Sequence, residues 1–165
     1  MSDSSVRNVD QLLAALASKD VVERQKARNS LVEIGAAAVP GLITALDDKQ
    51  QHVRWEAAKT LTEIADPTAA DALVQALGDE DTDVRWVAGE AMIALKRDAV
   101  KPLLNSLTKS QDSEGVYKSS HHVLHDLSKL RDLGPLLAPV LKALDQPEPE
   151  VAVPVAAQGA LESLG

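Results

Sequence analysis

Three of the four histidines lie within one five-residue stretch, His121 to His125. His121 and His125 are four positions apart, and His122 and His125 are three apart, so on a helix either pair places two imidazoles on one face. Two imidazoles and a third ligand form the donor set of a divalent metal site. Without a metal, the same cluster is a polar surface.

Other catalytic arrangements are missing from the sequence. It contains no Gly-rich phosphate loop, no G-x-S-x-G elbow and no H-E-x-x-H motif, and the absence of cysteine excludes thiolate ligands, disulfides and a Cys nucleophile. Carboxylates are abundant, but nearly all fall in turns or at helix starts, where they cap helices. We therefore expect no bound cofactor and favour a non-enzymatic role over an enzymatic one.

The charge of the chain and the length of its apolar runs argue against nucleic acid and membrane as partners. The net charge is −8 over 165 residues, whereas a protein that grips a nucleic-acid backbone needs a clustered basic face. No apolar run approaches the roughly 18 residues that span a bilayer, and the start, MSDSSVRN, has no signal-peptide core. We predict a cytoplasmic protein that binds neither nucleic acid nor membrane.

Both tryptophans occur at the same place in a repeated segment. VRWEAAKTL begins at Val53, and VRWVAGEAM begins at Val84, 31 positions later. Such longer segments alternate with short segments that end in leucine, and a repeat of this length indicates stacked supersecondary units. We place the repeats approximately at residues 8–35, 37–65, 68–97, 99–131 and 134–165, within one domain, 1–165.

Both kinds of segment are predicted to be helices. Apolar residues recur at spacings of three and four, and the core residues are mainly Ala, Leu and Val, with no Phe. A hairpin of this size cannot bury its apolar faces alone, but stacked hairpins form a continuous core. The predicted fold is all-α: an α-solenoid of about five antiparallel helix hairpins.

One face of each longer helix is predicted to point away from this core. At about 100° per residue, Trp55 and Lys59 fall opposite Val53, and the corresponding face of the fifth unit carries Val155. Exposed indoles mark partner sites, although each indole could instead lie flat and seal the groove between helices. The predicted partner-binding residues are Trp55, Lys59, Trp86, Glu90, Ile93, Lys118, His122 and His125.

The same arithmetic supplies a third ligand for the histidines. Glu90 occupies the repeat position of His122 one unit earlier, so Glu90, His122 and His125 are the candidate metal ligands. His121 replaces the small residue of the other units and is expected to lie beside the core.

The two central units resemble HEAT repeats, especially the short bacterial HEAT-like type, whose signature D-x-x-V-R-x-x-A-A-x-x-L is matched around Val53-Arg54 and Val84-Arg85. The resemblance implies that the second helix of each pair lines a concave surface. It also implies a structural ladder in which each arginine pairs with an acid of the preceding turn. That ladder would join Arg54 to Asp47 or Asp48 and Arg85 to Asp79 or Asp81, and stop at Tyr117 and Pro154.

Two HEAT-like enzyme families provide a comparison. Deoxyhypusine hydroxylases hold two irons with His-Glu pairs after the V-R of several repeats, but only Glu56 of such a pair is present here. Phycobilin lyases use HEAT-like repeats of this size, and their scaffold matches, although no bilin-specific motif can be identified.

The function predicted from the sequence is that of a scaffold or adaptor that binds a protein or peptide in its concave groove. The alternative is a metal-binding or lyase-like enzyme-subunit role that uses the Glu/His cluster on the same face. A third hypothesis is self-association through the C-terminal helix, which is apolar and lies at the end of the chain.

Overall fold

The computed structural model describes residues 2–109 and 114–165, and these ranges contain helices and turns but no β-strand. Short 3₁₀ segments, Gly35–Ala38 and Pro67–Ala69, precede the third and fifth helices. In chain order the α-helices of the described ranges are α1 (Ser2–Ala15), α2 (Val21–Ile34), α3 (Val39–Ala45), α4 (Gln51–Ile64), α5 (Ala70–Ala76), α6 (Thr82–Ala94), α7 (Arg97–Leu107), α8 (Glu114–Leu127), α9 (Leu133–Leu144) and α10 (Pro149–Leu164).

Aspartates and one glycine define several helix ends. Asp20 and Asp81 accept backbone N–H groups at the starts of α2 and α6, and Asp66 does the same for the 3₁₀ segment that begins at Pro67. Gly35 ends α2 with a φ of 70°, in the left-handed region that favours glycine. The chain therefore turns sharply between consecutive helices and returns antiparallel.

The helices form two rows. Among the first helices, α1 packs against α3, α3 against the 3₁₀ segment Pro67–Ala69 that leads into α5, and α5 against α7; the second helices α2, α4, α6 and α8 form the facing row. The core between the rows is built from leucine and alanine: Leu61, Leu77 and Leu104 are fully or almost fully buried, and so are Ala58 and Ala88. The predicted all-α solenoid is confirmed.

The fifth hairpin departs from this order. Helix α10 packs mainly against α9 and α7, and α9 packs against α8, so α10 does not continue the row of second helices. Val155 is exposed, as predicted for the outward face of the fifth unit, but it lies on a helix outside the row of α2, α4, α6 and α8. In the connection between α8 and α9, which precedes this hairpin, Arg97 from the start of α7 donates to the Arg131 carbonyl at 3.0 Å and to Asp132 at 3.2 Å.

The predicted repeat boundaries and the cytoplasmic location stay predictions. The repeat at 99–131 includes residues 110–113, which lie outside the described ranges. Within those ranges, every helix is too short or too polar to cross a bilayer.

Candidate partner-binding site

Three arginines make the same contact at the starts of successive second helices. Arg24, Arg54 and Arg85 each donate through Nη1 to the carbonyl oxygens six and five residues earlier. The shorter distance is 2.8 Å at Arg24, 3.0 Å at Arg54 and 2.7 Å at Arg85. Helix ends leave carbonyl groups unpaired, so each guanidinium fastens the turn within its hairpin to the second helix.

Two of these arginines also bind a carboxylate from the next hairpin. Arg24 Nε lies 3.1 Å from Glu56 Oε1, and Arg54 binds both oxygens of Asp79, at 2.8 and 2.9 Å. A bidentate ion pair fixes geometry as well as adding energy. Hydrogen bonding by Asp79, partly opposed by burial, raises the pKa of Arg54 above its usual value. We call these links between hairpins the arginine ladder.

The ladder uses other acids than the sequence predicted. The Asp48 carboxylate accepts the N–H of Gln50 at 2.8 Å, and that of Asp81 accepts N–H groups at the start of α6. The Arg54 guanidinium lies against the next hairpin, where it binds both oxygens of the Asp79 carboxylate, and from its own hairpin it takes only the carbonyl oxygens of Asp48 and Lys49. The predicted pairing of Arg54 with the Asp48 carboxylate, and of Arg85 with that of Asp81, is therefore wrong.

The sequence did not predict the first rung of the ladder, which is the contact between Arg24 and Glu56. Arg24 follows Glu23 rather than the valine of the V-R motif, so the motif did not identify it. Glu56 is 4% exposed and binds both Arg24 and Arg28, the latter at 2.7 Å. The glutamate that resembled half of an iron-binding pair thus belongs to a buried ion pair.

Trp86 is the most exposed aromatic side chain of the described residues, at 59%. Its ring stacks on His122 from α8, with ring centroids 4.6 Å apart and an interplanar angle of 22°. His122 Nε2 in turn lies 3.0 Å from Glu90 Oε1, one turn after Trp86 on α6. The structure therefore brings together three of the predicted site residues, and the stack holds the indole in one orientation.

The predicted residues on α4 and late α6 are less accessible. Trp55 and Ile93 are half-buried and pack against the core, and Lys59 is half-buried. No ring contact joins Trp55 to Trp86 within residues 2–109 and 114–165. The two tryptophans, equivalent by sequence, differ in accessibility.

A cavity of about 210 Å³ opens between α6 and α8 beside the exposed indole. It combines an apolar wall with cationic side chains. Lys118 is exposed and pairs with Glu114 at 2.6 Å. The lining residues are Thr82, Arg85, Trp86, Gly89, Gly115, Lys118, Ser119 and His122.

The other two histidines of the cluster point to other acids. His121 Nε2 lies 3.2 Å from Asp145 Oδ1, after α9, and is not enclosed by the core. His125 Nδ1 lies 3.9 Å from Asp126 and stacks with His121 at 6.4 Å. The described residues hold no group of three metal-ligating side chains, so the expected convergence of His125 with Glu90 and His122 is not found.

A larger cavity, of about 760 Å³, lies between α8 and the turn from α9 to α10. It includes His121, Asp145 and Tyr117, whose hydroxyl is buried without a hydrogen-bond partner in the part of the chain that the structure describes. Sequence reasoning missed this cavity, because it depends on how the fifth hairpin packs.

Comparisons with known proteins agree with this geometry. The family model described as HEAT repeats matches residues 9–93, just over half of the chain. A chain of the complex of CpcE and CpcF of phycocyanin lyase from Nostoc sp. PCC7120 is 28% identical, with a TM-score of 0.64, and the match covers 94% of this chain and 98% of that one. No curated protein matches the chain.

A designed armadillo repeat protein in complex with the peptide (KR)4 is also similar in structure. It is 24% identical, with a TM-score of 0.47, and the match covers 94% of this chain and 87% of that one.

Proposed function

Because the chain belongs to the HEAT-repeat family, we propose that it binds a protein or peptide partner on the face formed by α4, α6 and α8. The observation that carries this proposal is the exposed indole of Trp86, stacked on His122, which pairs with Glu90. A held ring loses little conformational entropy when a partner covers it. Tryptophan is also enriched among the residues that dominate binding energy.

The remaining predicted residues would contribute at the rim of this face. Lys118 and His125 are exposed and Lys59 is half-buried. They would form polar contacts that fix the position of the partner along the face. Trp55 and Ile93 add apolar surface only where they are not covered by the core. Among the tryptophans, Trp86 is thus the anchor, and Trp55 contributes in part by sealing the groove between helices.

A second candidate function is that of an enzyme subunit. It is supported by the 28% identity and the coverage of 94% and 98% with a chain of the complex of CpcE and CpcF of phycocyanin lyase. This role predicts a stable, stoichiometric complex with a second protein, and phycocyanin-lyase activity of that complex. If the chain captures a partner but the complex has no lyase activity, the scaffold role is supported and the lyase role is refuted.

Partner capture tests the main proposal. Immobilised wild-type chain and its Trp86→Ala variant are compared for the proteins that they retain from native lysate. Removing a dominant interface residue costs about 2 kcal/mol, or about a 30-fold loss of affinity. We therefore expect the variant to lose the partner while its melting temperature changes little, because the indole is exposed.

Val151→Ala is the matched control for this experiment. Val151 is 65% exposed and lies on α10, which packs against α9 and α7 rather than on the proposed face. The control should retain the partner. If Trp86→Ala retained the same proteins with unchanged affinity, the face of α4, α6 and α8 would not be the binding surface.

A further inference from the structure

The third rung of the arginine ladder has no acid within the described residues. Arg24 binds Glu56 and Arg54 binds Asp79. Arg85 repeats the contacts with two carbonyl oxygens and adds one with Thr82 Oγ1 at 2.9 Å, but no carboxylate from residues 8–109 or 114–165 forms an ion pair with it. Its guanidinium is thus held in place without a counter-charge from these residues.

The position that supplies the acid in the first rung carries a serine in the third. Glu56 is the third residue after Val53, and Ser119 is the third residue after Val116 in the corresponding unit. Ser119 and Arg85 both line the cavity of about 210 Å³ between α6 and α8. A short neutral side chain therefore stands where a carboxylate completes the first rung, and open space lies beside it.

The charge of this cavity favours an anion. Arg85 and Lys118 are the cationic groups of the lining, and none of the lining residues is acidic. Glu114 pairs with Lys118, but both side chains are more than three-quarters exposed, and such surface pairs contribute little. Trp86 supplies an adjoining apolar wall.

We propose that this cavity takes the carboxylate of an aspartate or glutamate in a peptide segment of the partner, to which Arg85 donates. An apolar residue beside that acid would lie on the Trp86 indole. The volume supports an inserted side chain, because pockets for whole small molecules measure about 300–1,000 Å³. This inference rests on the proposed function and adds the chemistry of the partner.

Selection from a displayed library of random heptapeptides on the full chain tests the inference. We expect the selected peptides to share one Asp or Glu next to an apolar residue. A selected peptide and its counterpart with Asn or Gln at that position are then titrated by fluorescence anisotropy. Loss of a charge-assisted hydrogen bond predicts at least about tenfold weaker binding of the neutral peptide.

Two variants address the cavity directly. Arg85→Gln removes the proposed counter-charge and should weaken binding of the acidic peptide by about tenfold or more. It should not further weaken binding of the neutral peptide. Ser119→Glu supplies the carboxylate from within the chain, as Glu56 does for Arg24, and should raise the melting temperature while blocking the peptide. Arg131→Gln, at an exposed arginine outside the cavity, is the control and should bind normally.

Several results would overturn the inference. They are a failure to select peptides, selected peptides without a shared acid, and full binding by Ser119→Glu. Another is a destabilisation by Arg85→Gln as large as that by Arg54→Gln, which would mean that Arg85 already has its own carboxylate. Self-association that Arg85→Gln abolishes would assign the cavity to a second copy of the chain instead.

The same titrations separate this inference from the proposed function. If Trp86→Ala loses the peptide and Arg85→Gln does not, the binding face stands and the carboxylate site is wrong. If neither variant loses the peptide, both proposals fail.

Discussion

At the scale of single residues, Glu56 shows how charge is buried in this fold. Its side chain is 6% exposed, and its two oxygens bind Arg24 at 3.1 Å and Arg28 at 2.7 Å. A buried ion pair adds little net stability over an apolar pair, but removing one partner leaves an uncompensated charge. Glu56 therefore affects stability mainly because its removal would leave Arg24 and Arg28 without a counter-charge.

We expect Glu56→Gln to destabilise the protein by about 3–5 kcal/mol, because two arginines would lose their shared carboxylate. For a chain of this size the melting temperature should fall by about 10 °C. Urea unfolding followed by circular dichroism gives the free energy. Glu63→Gln is the control, since Glu63 is 43% exposed and lies 3.8 Å from Arg28; equal losses in both variants would contradict the structural role of Glu56.

Periodicity predicted the facing of the tryptophans but not their accessibility. Both indoles fall on the same face by the repeat, yet Trp55 packs against the core and Trp86 is exposed. Helices α4 and α6 pack more extensively than α6 and α8, and a cavity remains in the second interface. How closely neighbouring helices pack depends on side chains from both, which a single-helix pattern does not include.

At the scale of elements, the start of α6 depends on an ionised cap. The Asp81 carboxylate accepts the N–H groups of Val84 and Asp83, and the bond from Val84 is the largest of the effects that hold the pKa of Asp81 below its usual range. A depressed pKa means that the folded state favours the charged form. The cap therefore contributes fully above the ordinary aspartate pKa of about 3.9 and is lost as the pH falls through the lower folded value.

Asp81→Asn should flatten the dependence of stability on pH below about pH 5, because asparagine still accepts the N–H groups but does not titrate. Asp81→Ala removes the acceptor and should lower stability at neutral pH as well. Urea midpoints measured from pH 3 to pH 7 compare the two variants with the wild type. A wild-type slope retained in Asp81→Asn would show that this cap does not supply the acid sensitivity.

The connection between α8 and α9 precedes a hairpin whose helices were predicted but whose orientation was not. Both helices of the last hairpin were predicted from the sequence. Their orientation was not: the connection before them includes Asp132, whose φ of 73° is left-handed, and the contacts of Arg97 with Arg131 and Asp132. Neither a turn conformation outside glycine nor a contact between distant residues follows from hydrophobic spacing.

At the scale of the whole molecule, the extensive helix contacts of the described residues lie within a hairpin or between adjacent hairpins, as in other repeat proteins. The sequence predicted this architecture because two kinds of segment alternate, with apolar residues at spacings of three and four. It did not predict the arginine ladder's true partners, since Asp79 serves two arginines at once: its carboxylate binds Arg54 and its carbonyl binds Arg85. Contacts of this kind form only when the helices of neighbouring hairpins are packed together.

The outer face of α10 gives the last prediction, on self-association. Val151 and Val155 lie one turn apart and are 65% and 75% exposed, and adjoining exposed valines are a small apolar patch of the kind that another surface covers. We expect sedimentation equilibrium to show association that increases with concentration and is abolished in Val155→Glu. Val22→Glu, at a valine of α2 that is 57% exposed, should associate as the wild type does. A wild-type chain that stays monomeric at high concentration would refute self-association through α10, and equal effects of both substitutions would assign it to net charge rather than to this face.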